Sequence, residues 1–320
     1  MMENVSENKL KIGLALGSGS AKGWAHIGVI RELAEMGIEP DIVAGSSIGA
    51  FVGAAYVSQQ LDMLEEWVRS LTKKEIFGYL DFSLSGAGGF VVGEKLIKFM
   101  QEQIGNSLIE TLPCKFGAIA TELESGREVW FRDGPILESV RASIAIPGLI
   151  TPVKLKGQWL ADGGLTNPVP VSLCRAMGAD VVIAVNLASD IVGKHKNRII
   201  AHPENLKTKE DKAEDKSMEN ITAQFKNSFI ESKESLVTYL FGEEIDSPGL
   251  FEVLASSINI MQDRITRSRM AGDPPDIVFS PLLSELGLWE FDQASVAIEE
   301  GRACVKRMRP ALDAVLEINR

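Results

Sequence analysis

A serine between two glycines constrains the fold of this chain more than any other feature. Residues Val43 to Ala50 read V-A-G-S-S-I-G-A, an apolar run that turns and continues into small and apolar residues. This order predicts a strand, a tight turn and a helix. A G-x-S-x-G turn leaves no room for bulky flanking side chains, and Gly45 and Gly49 remove that clash. Ser47 is expected at the amino end of a helix, where unpaired N–H groups favour developing negative charge, a position suited to a nucleophile.

A glycine-rich loop, residues 17–23, follows the first apolar run of the chain. Residues 11–16 predict a buried strand, a helix pattern starts at Trp24, and residues 38–44 predict a second strand, so the segment forms a βαβ unit. The loop fails both phosphate-binding motifs, because Lys22 stands where G-x-G-x-x-G requires glycine and no Gly-Lys-Ser/Thr follows. No acidic residue closes the second strand to bind a ribose. Dinucleotide binding is therefore not favoured.

Two interpretations of this glycine loop stay open. It is either a tight turn without chemistry or a set of backbone N–H groups that converge on the oxygen of a carbonyl attacked by Ser47. Adjacent parallel strands would place the loop beside Ser47. The side chain of Lys22 is expected to be solvated or to cap a carbonyl rather than to act in catalysis.

The second notable stretch is Asp162-Gly163-Gly164. Hairpins are predicted within residues 114–131 and within residues 151–160, and the second hairpin leads into Asp162. We expect Asp162 to end a strand, and the glycines after it let the backbone turn away. Functional groups gather at the carboxyl ends of the strands of a parallel sheet, so Asp162 is expected on the same side of the sheet as Ser47.

Further segments predict peripheral and closing elements. Residues 83–93 are rich in glycine and serine and favour a loop that packs over one that lines a substrate entrance. Residues 190–219 are highly charged and without period, which is typical of a mobile linker or exposed insertion, with a flexible lid as the alternative. Helices are predicted over 221–241, 250–270 and 292–318, and a last strand over 276–279. The expected core stripe of the second of these helices is Leu254, Ile258, Met261 and Ile265.

Composition limits the class of protein. The chain has 320 residues, 45% of them hydrophobic, which suffices for a large core. Its net charge of -11 and the lack of a basic patch argue against a nucleic-acid partner. Three separated cysteines suggest neither disulfides nor a zinc site, so a cytoplasmic location is expected. The polar amino terminus is unlike a secretory signal, and no apolar run reaches membrane-spanning length, although transient contact with a membrane surface stays possible.

The glycine loop, the Gly45-Ser46-Ser47-Ile48-Gly49 turn and Asp162-Gly163-Gly164, in that order, resemble the patatin-like phospholipases. The resemblance includes the block A-S-I-A-I-P-G at residues 142–148 and the run D-G-G-L-T-N-P-V-P at 162–170. It covers about residues 11–187, and bacterial soluble members of the family are the most similar.

This resemblance implies a three-layer α/β/α patatin-like fold with a mostly parallel central sheet and a single domain over residues 1–320. The motifs lie in a core at 11–187, followed by the charged insertion at 190–219 and the carboxyl-terminal part at 221–320. By resemblance Ser47 is the nucleophile and Asp162 its base in lipid acyl-ester hydrolysis, with Gly45 and Gly49 in the nucleophile elbow and Gly163 and Gly164 in the DGG motif. The residues that correspond to the oxyanion loop are Gly17, Ser18, Gly19, Ser20, Lys22 and Gly23. Ser18 departs from a run that is often all glycine, which leaves open which N–H groups donate.

Two other functions stay open. A Ser-His-Asp hydrolase would combine Ser47 and Asp162 with His195 or His202, which both lie in the charged segment, whereas His26 on the first helix favours a packing role. A non-catalytic adaptor could keep the same fold to bind a lipid or a protein.

The expected chemistry needs no cofactor and no metal, and no cluster of Asp, Glu and His has ligand spacing. The partner is a lipid or acyl-ester substrate whose identity the residues do not specify, and the oligomeric state is unknown. Since the reference pKa of an aspartate is about 3.9, Asp162 would be a weak base and turnover modest.

Overall fold

The computed structural model describes residues 10–79, 81, 91–189 and 250–318. Within these residues eight strands form one sheet, and five of them run parallel to a neighbour. The strands are β1 (Ile12–Leu16), β2 (Ile42–Ser46), β3 (Lys115–Glu122), β4 (Glu128–Phe131), β5 (Val153–Leu155), β6 (Gln158–Asp162), β7 (Val181–Val185) and β8 (Ile277–Phe279).

Helices precede and follow most of these strands. They are α1 (Ala25–Glu35), α2 (Ile48–Val57), α3 (Leu61–Ser70), α4 (Lys73–Tyr79), α5 (Glu94–Ile104), α6 (Ile136–Ser143), α7 (Val171–Ala176), α8 (Leu250–Gly272) and α9 (Ala294–Ile318). Short 3-10 turns cover Ser20–Trp24, Ile109–Thr111, Gly163–Leu165 and Phe291–Gln293.

Both faces of the sheet are covered. Leu14 and Leu16 of β1 point to one face, where they join a large apolar cluster with α1, α2, α3 and α9. Ala15 points to the other face and packs with Leu173 and Cys174 of α7. Central parallel strands buried on both faces are nearly all apolar, as β1, β2 and β7 are here. The chain thus has the three-layer α/β/α fold with a mostly parallel sheet, and the expected fold class is confirmed.

The helix after Ser47 lies at the centre of the larger layer. All residues of α2 except Tyr56 are buried, which its apolar composition on every side predicts. Helices α1 and α9 cross closely over the same layer, because a Cβ at Gly28 would lie 1.9 Å from the carbonyl oxygen of Ile298 and one at Gly301 2.1 Å from that of Ala25. The buried α2 gives the segment after Ser47 a rigid support.

Strand β3 organises the centre of the sheet. Along its length β3 pairs with β2 through residues 115–119, with β4 through 118–121 and with β6 through 120–122. Residues 118–119 of β3 pair with both β2 and β4, and residues 120–121 pair with both β4 and β6. A residue that pairs with two strands has one on each edge, so β4 lies on one edge of β3, and β2 and β6 both lie on the other. Strand β2 runs parallel to β3 and β6 antiparallel, so β2 and β6 end facing each other: Ser46 pairs with Ile119, and Asp162 with Ala120.

Some expectations need correction. Asp162 does end a strand, but that strand is antiparallel to its neighbour and not part of the parallel set. Strand β2 begins at Ile42 instead of residue 38, since Pro40 cannot donate to a ladder, and it continues through Ser46. The charged segment 190–219, the helix predicted over 221–241 and most of the loop at 83–93 lie outside the described residues.

A helix that crosses a bilayer needs about 20 consecutive, mostly apolar residues. No helix within residues 10–79, 91–189 or 250–318 combines sufficient length with sufficient apolar character.

Candidate active site

Ser47 occupies a strained turn between β2 and α2. Its φ of 55° and ψ of -125° depart from the ordinary regions for a residue with a side chain, and helix α2 begins directly after it. A Cβ at Gly45 would lie 2.4 Å from the Ala50 backbone, and one at Gly49 would lie 2.1 Å from the carbonyl oxygen of Leu16. Both positions therefore admit only glycine, and the turn presents the Ser47 hydroxyl away from the strand.

A short hydrogen bond joins Ser47 to Asp162. The Ser47 hydroxyl Oγ donates to Asp162 Oδ2 at 2.5 Å, across 115 positions of sequence. The other carboxylate oxygen, Oδ1, accepts the backbone N–H of Gly164 at 2.7 Å. The backbone of Asp162 is held as well, because its N–H donates to the Ala145 carbonyl and its own carbonyl accepts the Thr121 hydroxyl. The carboxylate is thus fixed in place on both sides.

Burial changes the acidity of this carboxyl. Asp162 is almost fully buried, and loss of solvation raises its pKa from 3.8 to about 7, against the opposing hydrogen bonds from Ser47 and Gly164. A carboxyl with a pKa near neutrality is a far better proton acceptor than an exposed aspartate. The expectation of a weak base, which used the reference pKa, is therefore corrected.

The glycine loop has two kinds of backbone N–H group. Those of Gly17 and Ser18 are already used, since they donate to the carbonyls of Val185 and Pro168 at 3.1 and 2.8 Å. That of Lys22 donates back to the Gly19 carbonyl. For the N–H groups of Gly19 and Ser20 the described residues offer no acceptor, and both residues border the space next to Ser47. These two N–H groups are the candidates for an oxyanion site.

Packing explains other features of the loop. A Cβ at Gly19 would lie 2.7 Å from Leu187, and one at Gly23 would lie 2.2 Å from Ile48 at the start of α2. Lys22 is buried, with 5% of its surface exposed, so the expectation of a solvated side chain is wrong, whereas the alternative that it caps a carbonyl stays a prediction. The Ser18 hydroxyl donates to Ser46 Oγ at 3.2 Å and so ties the loop to the end of β2.

The glycines of the DGG motif are sites of close approach. A Cβ at Gly163 would lie 2.3 Å from the Ile119 carbonyl oxygen. A Cβ at Gly164 would meet three side chains at less than 3 Å, those of Gln262, Ser18 and Asp162. The backbone can therefore turn tightly around the carboxylate only without side chains at these two positions.

A large apolar cavity opens beside Ser47. Its empty volume is about 1020 Å³, its open mouth included. Aromatic and aliphatic side chains form most of the wall. Val91 and Gly93 border it too, so the end of the segment 83–93, for which packing was favoured over lining a substrate entrance, does line the cavity. The aromatic lining residues are Trp24, Phe51, Trp67, Tyr79, Trp289 and Phe291.

A second, smaller pocket lies on another side of Ser47. Its empty volume is about 420 Å³, and it is bordered by Ser47, Asp162 and the glycine loop together with Asn259 and Gln262 of α8. Ser20 borders both spaces. The sequence did not single out the two amides, because α8 was interpreted from its apolar stripe.

The only histidine in the described residues supports the loop. Nε2 of His26 donates to the Gly17 carbonyl at 2.7 Å, and burial lowers the pKa of His26 to about 4, so the ring is neutral. His26 is thus a structural residue, as its place on α1 predicted. His195 and His202 lie outside the described residues. Among the described residues, no group of three or more His, Cys, Asp or Glu side chains could hold a metal ion.

The strand–turn–helix elbow and the hydroxyl–carboxylate pair define a class of α/β proteins built like serine hydrolases. A family model described as Patatin-like phospholipase matches residues 14–175, which carry all of these features. An uncharacterized NTE family protein of Mycobacterium tuberculosis is 33% identical to this chain, and the alignment covers 95% of this chain and 92% of the relative. The chain belongs to the patatin-like phospholipase family.

Two other similarities are more limited. The Lysophospholipase NTE1 of Coccidioides immitis is 34% identical over 186 residues, which make up 56% of this chain and 12% of that protein. The crystal structure of VipD from Legionella pneumophila is 14% identical with a TM-score of 0.44, and covers 95% of this chain and 67% of that chain.

Proposed function

We propose that this protein hydrolyses acyl esters of lipids, with Ser47 as nucleophile and Asp162 as general base. The observation that carries the proposal is the 2.5 Å hydrogen bond between Ser47 Oγ and Asp162 Oδ2. It joins the two groups directly, so the position that a histidine occupies in a triad is taken by the carboxylate itself. Ser47 also borders a large apolar cavity, which supports a substrate with a long hydrocarbon chain.

The reaction proceeds in two steps. Asp162 accepts the proton of the Ser47 hydroxyl as Oγ attacks the ester carbonyl, and the N–H groups of Gly19 and Ser20 stabilise the oxyanion. Collapse of the tetrahedral intermediate returns the proton to the leaving alcohol and leaves an acyl group on Ser47. Water then attacks the acyl-enzyme, with Asp162 again as base, and releases the fatty acid. The amino end of α2 adds a favourable dipole at the same point.

Lipid substrates are supported by two further facts. The walls of the large cavity expose almost only carbon atoms, so an acyl chain placed there loses contact with water at about 25 cal/mol for each Å² buried. One relative of the family is named a lysophospholipase, which is an acyl-ester hydrolase. We therefore propose single-chain acyl lipids as the substrate class.

A fluorophosphonate probe tests the nucleophile directly. We expect wild-type protein to be labelled at Ser47, as mass spectrometry of the peptide would show, because the probe reacts only with an activated serine. Ser58→Ala is a matched control, since the Ser58 hydroxyl is buried on the same segment and lacks a hydrogen-bond partner in the described residues. Labelling of folded protein at another serine, or at none, would contradict the proposal.

The pH dependence of the reaction should report on Asp162. The pKa of this buried carboxyl is raised to about 7. The fraction of protein with an ionised, proton-accepting Asp162 therefore falls about tenfold for each pH unit below that value. We expect kcat/KM for an uncharged ester to rise over this range and to level off above about pH 7. A profile that stays flat down to about pH 5 would show that Asp162 is ionised throughout and that burial does not set its acidity.

A further inference from the structure

The smaller pocket beside Ser47 differs in chemistry from the large cavity. It is bordered on one side by Gly19, Ser20 and Asp162, and on the other by the inward face of α8. Among the described residues that line it, Asp162 is the only ionisable one, and none is a lysine or an arginine. The pocket therefore suits a polar group without charge, because an anion placed there would lose its hydration without meeting a cation.

Gln262 of α8 is the most informative residue of this pocket. Its side chain is buried, with 8% of the residue exposed, yet its amide forms no hydrogen bond with any residue that the structure describes. The amide nitrogen lies against the DGG turn, where a Cβ at Gly164 would be only 2.3 Å away. The residue borders the pocket beside Ser47 and Asp162, so its amide is placed to hydrogen-bond a ligand there.

Asn259 supplies a second amide on the same face. It lies three positions before Gln262, so the two side chains neighbour each other on the helix, and both border the pocket. Its side chain also lacks a hydrogen-bond partner within the described residues. Each amide offers two donor hydrogens and an acceptor oxygen, a set that matches a hydroxyl, which both donates and accepts.

We propose that this pocket binds the glycerol half of a monoacyl lipid, and that Gln262 and Asn259 hydrogen-bond the free hydroxyl next to the scissile ester. The inference rests on the proposed function. Ser47 borders both spaces, so an ester attacked there can extend its acyl chain into the large cavity and its alcohol into the amide-lined pocket. A diacyl lipid has no hydroxyl at this position and would leave both amides unpaired.

The test compares esters that differ only in the alcohol. Monopalmitoylglycerol and methyl palmitate carry the same acyl chain, and only the first has hydroxyls to bind. We expect Gln262→Met, which keeps the length of the side chain, to lower kcat/KM for monopalmitoylglycerol roughly five- to tenfold, the effect of one hydrogen bond. Hydrolysis of methyl palmitate should stay within about twofold of the wild type. Asn259→Leu should act in the same direction.

A matched control comes from the same helix face. Thr266 is also buried without a hydrogen-bond partner for its hydroxyl in the described residues, but it does not border the pocket. Thr266→Val should therefore change the rates for both esters by the same factor. An equal loss for both esters in Gln262→Met would make Gln262 a structural residue and overturn the inference, as would no change for either.

Palmitoyl lysophosphatidylcholine tests whether the hydroxyl that the amides bind belongs to a phospholipid or to an uncharged glyceride. A loss for this lipid together with monopalmitoylglycerol supports recognition of the glycerol hydroxyl in both, and a loss for monopalmitoylglycerol alone supports an uncharged substrate. A loss for lysophosphatidylcholine alone would overturn the inference, because the amides would then bind the phosphate. If wild-type protein neither hydrolyses methyl palmitate nor is labelled at Ser47, the proposed function fails, a result distinct from all of these.

Discussion

Ser47→Ala is expected to reduce hydrolysis of lipid esters roughly 10⁵-fold, to the residual rate that binding and oxyanion stabilisation alone provide. The variant lacks the hydroxyl that we propose carries the acyl group, while the backbone N–H groups of Gly19 and Ser20 stay in place. Alanine at the left-handed φ of 55° meets nearly the same backbone cost as serine, so the fold should persist. Steady-state assays with methyl palmitate and circular dichroism of the same preparations provide the measurement.

Ser58→Ala serves again as the control in this assay. It removes the buried hydroxyl of Ser58, the residue that follows α2, and leaves the elbow intact, so activity should stay within about twofold. A folded Ser47→Ala protein that keeps a tenth or more of the wild-type rate would show that another group is the nucleophile. The proposal for Ser47 would then be withdrawn.

Asp162→Asn is expected to lower kcat roughly 10³- to 10⁴-fold, because the amide cannot accept the proton of Ser47. The substitution preserves shape, and its amide oxygen can still accept the N–H of Gly164 that now bonds Oδ1. The residual activity should no longer rise with pH through about 7, since the titrating group is gone. Retention of the wild-type pH profile in this variant would assign the ionisation to a different residue.

The same variant makes a separate prediction about stability. The pKa of Asp162 is raised by burial from 3.8 to about 7, so the folded protein binds this proton more tightly than the unfolded chain does. The stability that the proton contributes is fully present below about pH 4 and is lost as the pH rises to about 7, a loss of about 4 kcal/mol. Asp162→Asn lacks this loss, so its free energy of unfolding relative to the wild type should be higher at pH 8 than at pH 4. Urea unfolding at the two pH values measures the difference, and an unchanged difference would contradict the raised pKa.

The local geometry of the elbow follows from adjacent residues. The turn around Ser47 needs glycine at positions 45 and 49 because backbone atoms of Ala50 and Leu16 leave no space for a Cβ. These steric requirements concern residues that are close together in the sequence, so the strand, the turn and the helix could be predicted from that short stretch. The order of the β1–α1–β2 unit could be predicted for the same reason, since the spacing of its apolar residues and the residues of its turns are local features of the sequence.

The route of the chain to Asp162 could not be predicted in this way. The sequence indicated that Asp162 ends a strand, but the expected partners were parallel strands. Instead β6 runs antiparallel along β3 and stops where β2 stops, so that Asp162 and Ser46 pair with adjacent residues of β3. Which edge a hairpin occupies depends on contacts between distant segments, and hydrophobic alternation does not encode them.

Helix α8 shows a different limit of pattern analysis. Its apolar stripe predicted Leu254, Ile258, Met261 and Ile265 as core, yet Leu254 is 39% exposed and Met261 49% exposed. The face turned inward carries Gln262 and Thr266 beside smaller apolar groups, because it faces the pocket and the DGG turn rather than a uniformly apolar layer. The base strength of Asp162 was misjudged for a related reason, as burial cannot be known before the fold.

Strand β3 determines how far apart Ser47 and Asp162 lie along the sheet. Ser47 and Asp162 belong to segments more than a hundred positions apart in the sequence. Their relative position along the sheet is set by the register in which β2 and β6 pair with β3. A slip of β6 by two residues would keep its inward and outward side chains on the same faces but would carry the carboxylate about 7 Å away from the hydroxyl. The protein could then stay folded and yet lack hydrolytic activity. A change that weakens the pairing of Ala120 with Asp162 should therefore abolish the activity before it unfolds the chain.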